Sequence, residues 1–97
     1  MKKLIFSNAA LSDMDGIWDY SAETWSAKQA DIYVNTLRSA CRDLLSRRRV
    51  GQSAHEIKPG HLRLFVASHT IYYRFNAHND LIIERILHQS MDVSSRF

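Results

Sequence analysis

The chain has 97 residues, of which 45% are hydrophobic, so we expect one domain with a modest core and no second domain. Thirteen Lys and Arg against ten Asp and Glu give a net charge of +3, an excess too small to indicate nucleic-acid binding by itself. The single cysteine, Cys41, excludes a disulfide within the chain, and no apolar run is long enough for a signal peptide or a membrane span. We therefore expect a cytoplasmic protein that does not contact membranes.

Two helices are predicted in the first half of the chain. A short strand at residues 3–6 ends at Ser7, whose side chain can cap the helix that follows. Residues 26–29 fit a capping box, so a second helix begins there and forms an antiparallel hairpin with the first. Spacings of three and four predict the core-facing positions, which are Leu11, Met14, Trp18, Ala22 and Trp25 in the first helix and Ala30, Tyr33, Val34, Leu37, Cys41, Leu44 and Leu45 in the second.

A β-hairpin is predicted in the last third of the chain. If Ser68 and His69 form a two-residue turn, Arg63 lies opposite Arg74 and Phe65 opposite Tyr72. One face of this hairpin is then apolar, and the other is basic and aromatic. Like charges directly opposite each other are mildly unfavourable, which makes the basic, aromatic face the first place to look for a partner.

One more strand is predicted at about Leu81 to His88, after a turn at residues 76–80. Both faces of this strand are largely apolar, so alternation does not decide which one points inward. The expected fold is α+β: an N-terminal strand, a two-helix antiparallel hairpin, then three antiparallel strands, with the helices packed on one face of a sheet of about four strands.

The most specific pattern runs from His69 to Asp92 and reads H-x-I-x-Y-R followed by R-I-L-H-x-x-M-D. With residues 17–20, Trp25 and Tyr33 it resembles the ParE branch of the RelE/ParE toxins of bacterial type II toxin-antitoxin systems, over nearly the whole chain. The resemblance implies a single toxin domain, held inactive in a hetero-oligomer by a ParD-like antitoxin. It also implies DNA gyrase as the target, with DNA contacted only through the antitoxin or gyrase.

The resemblance further implies that an antitoxin segment, disordered alone, lays a helix along the helical hairpin and an extended piece along the sheet. Aromatic side chains that a small core cannot enclose often anchor such interfaces. The expected antitoxin contacts are Trp18, Tyr20, Trp25, Tyr33, Arg63, Phe65, Tyr72 and Arg74. The expected target contacts are His88, Met91, Asp92, Arg96 and Phe97.

Two alternatives stay open on the sequence alone. The related RelE branch cleaves ribosome-bound mRNA, and in this chain the residues for such chemistry would be Lys58, Arg63, Arg74, Arg85 and His88. No Tyr follows His88 to complete that set, so a gyrase inhibitor is favoured over an enzyme. The other alternative is a non-toxic binding module that acts with an antitoxin on operator DNA. We expect neither a metal nor a cofactor, because the five histidines do not pair at ligand spacing.

Overall fold

The computed structural model describes residues 2–97, with the backbone alone at position 94. Its elements are β1 (Leu4–Phe6), α1 (Asn8–Thr24), α2 (Ala27–Leu45), β2 (Gln52–Ser53), β3 (Leu62–Val66), β4 (His69–Phe75), β5 (Leu81–His88) and a 3-10 turn (Val93–Ser95). The sheet has the order β1-β5-β4-β3-β2, with β1 parallel to β5 and the other pairs antiparallel. The α+β class is confirmed, and the strand that was not predicted, β2, is too short to show a pattern.

Both helices begin at the predicted serines. The Ser7 Oγ accepts a hydrogen bond from the Ala10 amide at 2.9 Å, and the Ser26 Oγ accepts one from the Gln29 amide at 3.1 Å. Each cap satisfies a backbone donor that has no partner within the helix. The main core between the helices and the sheet includes Val34, Leu37, Cys41 and Leu44 of α2, as predicted.

The predicted core stripe of α1 is wrong at two positions. Leu11 is 46% exposed and Trp25 is 66% exposed, whereas the buried residues of α1 are Ala10, Met14, Ile17 and Ser21. The pattern of large apolar residues misled the prediction, because two of the four buried positions of α1 hold the small residues Ala10 and Ser21. Trp25 and Leu11 are thereby left on the surface.

The predicted register of the β3–β4 hairpin is also wrong. The turn lies at Ala67 and Ser68, with Ala67 at φ 51°, so that Arg63 pairs with Tyr72 and Phe65 pairs with Thr70. A shift of two residues keeps every side chain on its predicted face, and hydrophobic alternation therefore cannot detect it. Arg63 and Arg74 share a face as predicted but do not lie opposite each other.

The face of the sheet away from the helices is not an open surface. Tyr72 is only 4% exposed and forms a second small core with Ala54 and Leu87, against which Ile57 and Val93 pack. The ring of Phe97 lies 5.2 Å from that of Tyr72, centroid to centroid. Tyr72 is therefore buried by the 54–61 loop and the C-terminal tail, and the expectation of an open surface is wrong at this residue, whereas its contact with an antitoxin stays a prediction.

A β-bulge determines which apolar residues of β5 face the main core and which face the second core. The register shifts where β4 passes from Tyr72 to Tyr73, so that Ile83 and Ile86 both enter the main core although they lie three residues apart. Leu87 enters the second core on the other face. The strand is thus buried on both sides, which is why alternation gave no answer. Neither helix in the described part of the chain is long and apolar enough to cross a membrane.

Candidate functional site

A pocket of about 700 Å³ lies between α1, the end of β5 and the C-terminal tail. The strand β1 stops at Phe6, and beyond it the edge of β5 faces α1 instead of another strand. The pocket occupies this stretch of edge. Its lining residues include Ser12, Asp13, Gly16, Ile17, Tyr20 and Trp25 from α1 and its end, Tyr33 from α2, His69 from β4, and Arg85, His88, Ser90, Met91 and Arg96 from β5 and the tail.

The rim of the pocket is aromatic and exposed. Tyr20 is 65% exposed and Trp25 is 66% exposed, and their rings meet edge to face with centroids 6.4 Å apart. Met91, on the tail side of the pocket, is 41% exposed. Large apolar side chains gathered at one opening are typical of a protein-binding surface.

Tyr33 and His69 are half-buried lining residues of the pocket that contact each other. The Tyr33 Oη accepts a hydrogen bond from the Ser68 amide at 3.2 Å and forms a second hydrogen bond with the Nδ1 of His69 at 2.6 Å. Burial, with a smaller contribution from His88, lowers the pKa of His69 to about 4. We infer that His69 is neutral at pH 7 and carries its hydrogen on Nε2.

His88 lies beside His69, at the end of β5, where the C-terminal tail begins. The two rings meet edge to face at 5.2 Å between centroids. The Nδ1 of His88 accepts a hydrogen bond from the Ser90 amide at 3.1 Å, and the Ser90 hydroxyl lies 2.7 Å from the same nitrogen. The Nδ1 of His88 is thus an acceptor, and its Nε2 carries a hydrogen. The imidazole itself is exposed.

Arg85 is held by Asp13 across the edge of β5. Its Nε and Nη2 each donate to a different carboxylate oxygen of Asp13 at 2.8 Å, and the Ile86 amide donates to the same carboxylate at 2.9 Å. The Nη1 of Arg85 donates to the Arg96 carbonyl at 2.7 Å, which ties the tail to the same group. The hydrogen bonds with Asp13 raise the pKa of Arg85. Sequence reasoning missed Asp13, since a partner 72 residues away leaves no local signal.

The remaining arginines of the expected ribonuclease set are paired elsewhere. Arg63 meets Glu56 at 2.7 Å, and Arg74 meets Glu84 at 2.8 Å. Neither of them lines the pocket, and Lys58 does not line it either. Of the set, only Arg85 and His88 border the same pocket, and Arg85 is neutralised there by Asp13.

The structure brings together members of both predicted contact groups. Tyr20, Trp25 and Tyr33 were expected to contact an antitoxin, and His88, Met91 and Arg96 to contact a target; all six line the pocket. The other expected contacts, which do not line it, are Trp18, Arg63, Phe65, Tyr72, Arg74, Asp92 and Phe97.

Two of these residues outside the pocket, Trp18 and Phe65, lie on the helical hairpin and on the sheet. The Nε1 of Trp18 donates to Asp31 at 2.8 Å, which links the two helices. Phe65 is 53% exposed on the sheet surface.

Among residues 2–97, no three His, Cys, Asp or Glu side chains are grouped so that they could hold a metal ion.

Comparisons with known proteins agree on one family. The model of the family described as "ParE toxin of type II toxin-antitoxin system, parDE" matches residues 4–93. Toxin ParE1 of Mycobacterium tuberculosis is 34% identical over 91 residues, covering 94% of this chain and 93% of the relative. Toxin ParE1 of Caulobacter vibrioides is 33% identical over 92 residues, covering 95% and 94%.

A solved structure has the same fold. It is described as the chromosomal ParDE TA system from P. aeruginosa and aligns with a TM-score of 0.77 at 20% identity, over 91% of this chain and 96% of that one. The family match spans nearly all the described elements, from β1 to the first residue of the 3-10 turn. The chain therefore belongs to the ParE toxins of type II toxin-antitoxin systems.

Proposed function

We propose that this ParE toxin acts in the cytoplasm by inhibiting DNA gyrase and is neutralised by a ParD-like antitoxin that covers the pocket. One observation carries the proposal: the aromatic rim and the tail residues line the same cavity. A segment bound on Tyr20 and Trp25 would therefore lie over His88, Met91 and Arg96. Neutralisation then follows from occlusion of the target-binding surface.

The rim has the properties of an anchoring site for a protein. Tyr20 and Trp25 are large, exposed and already in contact with each other, so a partner gains buried apolar area without first ordering them. A second accessible feature lies at the far edge of the sheet. There β2 pairs only with Leu62 and Arg63, so residues 64–66 of β3 have no strand on their outer side in the described sheet. An extended antitoxin piece can add to such an edge.

The arginine pairing favours gyrase over RNA as the target. Cleavage of RNA needs cations that converge on one phosphate and a group that transfers a proton. In this chain Arg63, Arg74 and Arg85 are held by Glu56, Glu84 and Asp13 respectively, at separate places. A protein that docks on gyrase needs a surface and not a catalytic constellation, and the pocket with its tail supplies one.

Expression in bacteria tests the toxin and the antitoxin together. Induction of this chain alone is expected to arrest growth, and co-expression of the adjacent small open reading frame is expected to restore it. The partner should co-purify with the toxin, and Trp25→Ala should weaken that complex, whereas Val50→Ala, at a site 78% exposed outside the pocket, should not. Cells that grow normally with the toxin alone would contradict the proposal.

A further inference from the structure

The electrostatics of the pocket indicate what its occupant must carry. Asp13 is the only carboxylate among the described lining residues. Its two oxygens already accept three hydrogen bonds, two from Arg85 and one from the Ile86 amide. The one carboxylate among these lining residues is therefore already paired with the Arg85 guanidinium, and its negative charge is not available to a cationic ligand.

Donors, in contrast, remain available. Because the Nδ1 atoms of His69 and His88 are occupied by Tyr33 and Ser90, each ring keeps an Nε2–H for a ligand. Arg96 also lines the pocket, and no Asp or Glu in the described part of the chain forms an ion pair with it. The lining thus includes one arginine without a carboxylate partner and two histidines that each keep an N–H donor, with an apolar rim around them.

We propose that the pocket receives the carboxylate of an Asp or Glu of the antitoxin, flanked by apolar side chains that pack on Tyr20 and Trp25. This inference rests on the proposed function and specifies the chemistry of its partner. A carboxylate accepts from several donors at once and pairs with a guanidinium, which matches the available groups. The apolar side chains of the partner that pack on this rim exclude water from the pair, so the interaction is stronger than at an open surface.

Gly16 offers a direct probe of the occupant's charge. It lies in the lining of the pocket on an exposed turn of α1, and a Cβ built there meets nothing within 4 Å. Gly16→Gln, Gly16→Glu and Gly16→Lys introduce long side chains of good helix propensity that differ mainly in charge. None of the three removes a group that the toxin uses.

Affinity for the purified antitoxin is measured by calorimetry for the wild type and the three variants. We expect Gly16→Glu to bind about tenfold or more weakly than Gly16→Gln, because a second carboxylate repels the incoming one. Gly16→Lys should bind at least as tightly as Gly16→Gln. Arg48→Glu, a change to negative charge at an exposed site outside the pocket, controls for the overall field of the protein.

The outcomes separate this inference from the proposed function. If the wild type binds and Gly16→Lys is the weakest, the occupant is cationic and the inference is wrong. Equal affinities for all three variants would mean that no charged group enters the pocket, which also overturns it. Failure of the wild type to bind the antitoxin would instead contradict the proposed function.

Discussion

Gly16 and Gly51 have opposite surroundings, and the same substitution should have opposite effects on stability. A Cβ at Gly16 meets open space, whereas one at Gly51 would collide with the Tyr73 hydroxyl and the Arg63 carbonyl. Gly16→Ala should raise the free energy of unfolding by about 1 kcal/mol, the gain expected in an exposed helix interior. Gly51→Ala should lower it by about 1 to 3 kcal/mol, because the backbone must shift. Urea unfolding measures both, and a loss at Gly16 or a gain at Gly51 would refute these assignments.

His69 should make the protein sensitive to mild acid. Its pKa falls from the usual 6.5 to about 4, so between these values the unfolded chain binds more protons than the folded one. This stabilisation is complete above about pH 6.5 and is lost as the pH falls toward 4. A pKa shift of this size corresponds to about 3 kcal/mol, which solvent around the half-buried ring reduces to about 2 kcal/mol. His69→Gln should flatten this part of the stability curve, measured by urea unfolding from about pH 7 to about pH 4.5. His55→Gln, in the exposed loop, should leave its slope unchanged, and an unchanged slope in His69→Gln would show that burial of His69 does not cause the acid sensitivity.

At the scale of elements, the ion pair between Asp13 and Arg85 joins α1 to the edge of β5. Their side chains are only 13% and 22% exposed, and the same carboxylate accepts from the Ile86 amide. Asp13→Asn leaves the guanidinium without its counter-charge, which should destabilise the fold by about 2 to 3 kcal/mol. The control is Asp15→Asn, the same change at an exposed position of the same helix, which should alter stability by less than about 0.5 kcal/mol. Equal effects of the two substitutions in urea unfolding would refute a structural role for the pair.

The elements themselves were predictable because their signals are local. The capping serines Ser7 and Ser26 and the limits of β5 needed only neighbouring residues. The register of β3 with β4 was not predictable, because a shift of two residues leaves every side chain on the same face. The core stripe of α1 failed for a related reason: burial of Ala10 and Ser21 depends on what α1 packs against.

The site was only partly predictable on the same grounds. Tyr20 and Trp25 were recognised as contact candidates because their size exceeds what a small core encloses. Tyr72 has equal apolar character but is buried by the tail, which no periodic pattern could indicate. Asp13 and His69 were missed because their roles depend on partners from distant elements.

At the scale of the whole molecule, the pocket combines the proposed antitoxin contacts with the proposed target contacts. The helical hairpin contributes Tyr20 and Trp25, and β5 with the tail contributes His88, Met91 and Arg96. The tail is itself anchored, since Arg85 binds the Arg96 carbonyl and Phe97 packs on Tyr72. The proposed target surface is therefore already ordered before the antitoxin binds, and one bound antitoxin segment can block it.

The most direct test of the central claim uses purified toxin in two parallel assays: gyrase supercoiling and cleavage of plasmid DNA, and mRNA cleavage on programmed ribosomes. The wild type, His88→Ala and the loop control His55→Ala are compared, each with and without the antitoxin. We predict gyrase-dependent inhibition or DNA breakage that the antitoxin suppresses and that both substitutions retain at a measurable level, with intact mRNA throughout. Codon-dependent mRNA cuts that His88→Ala abolishes, with gyrase unaffected, would contradict gyrase inhibition as the function.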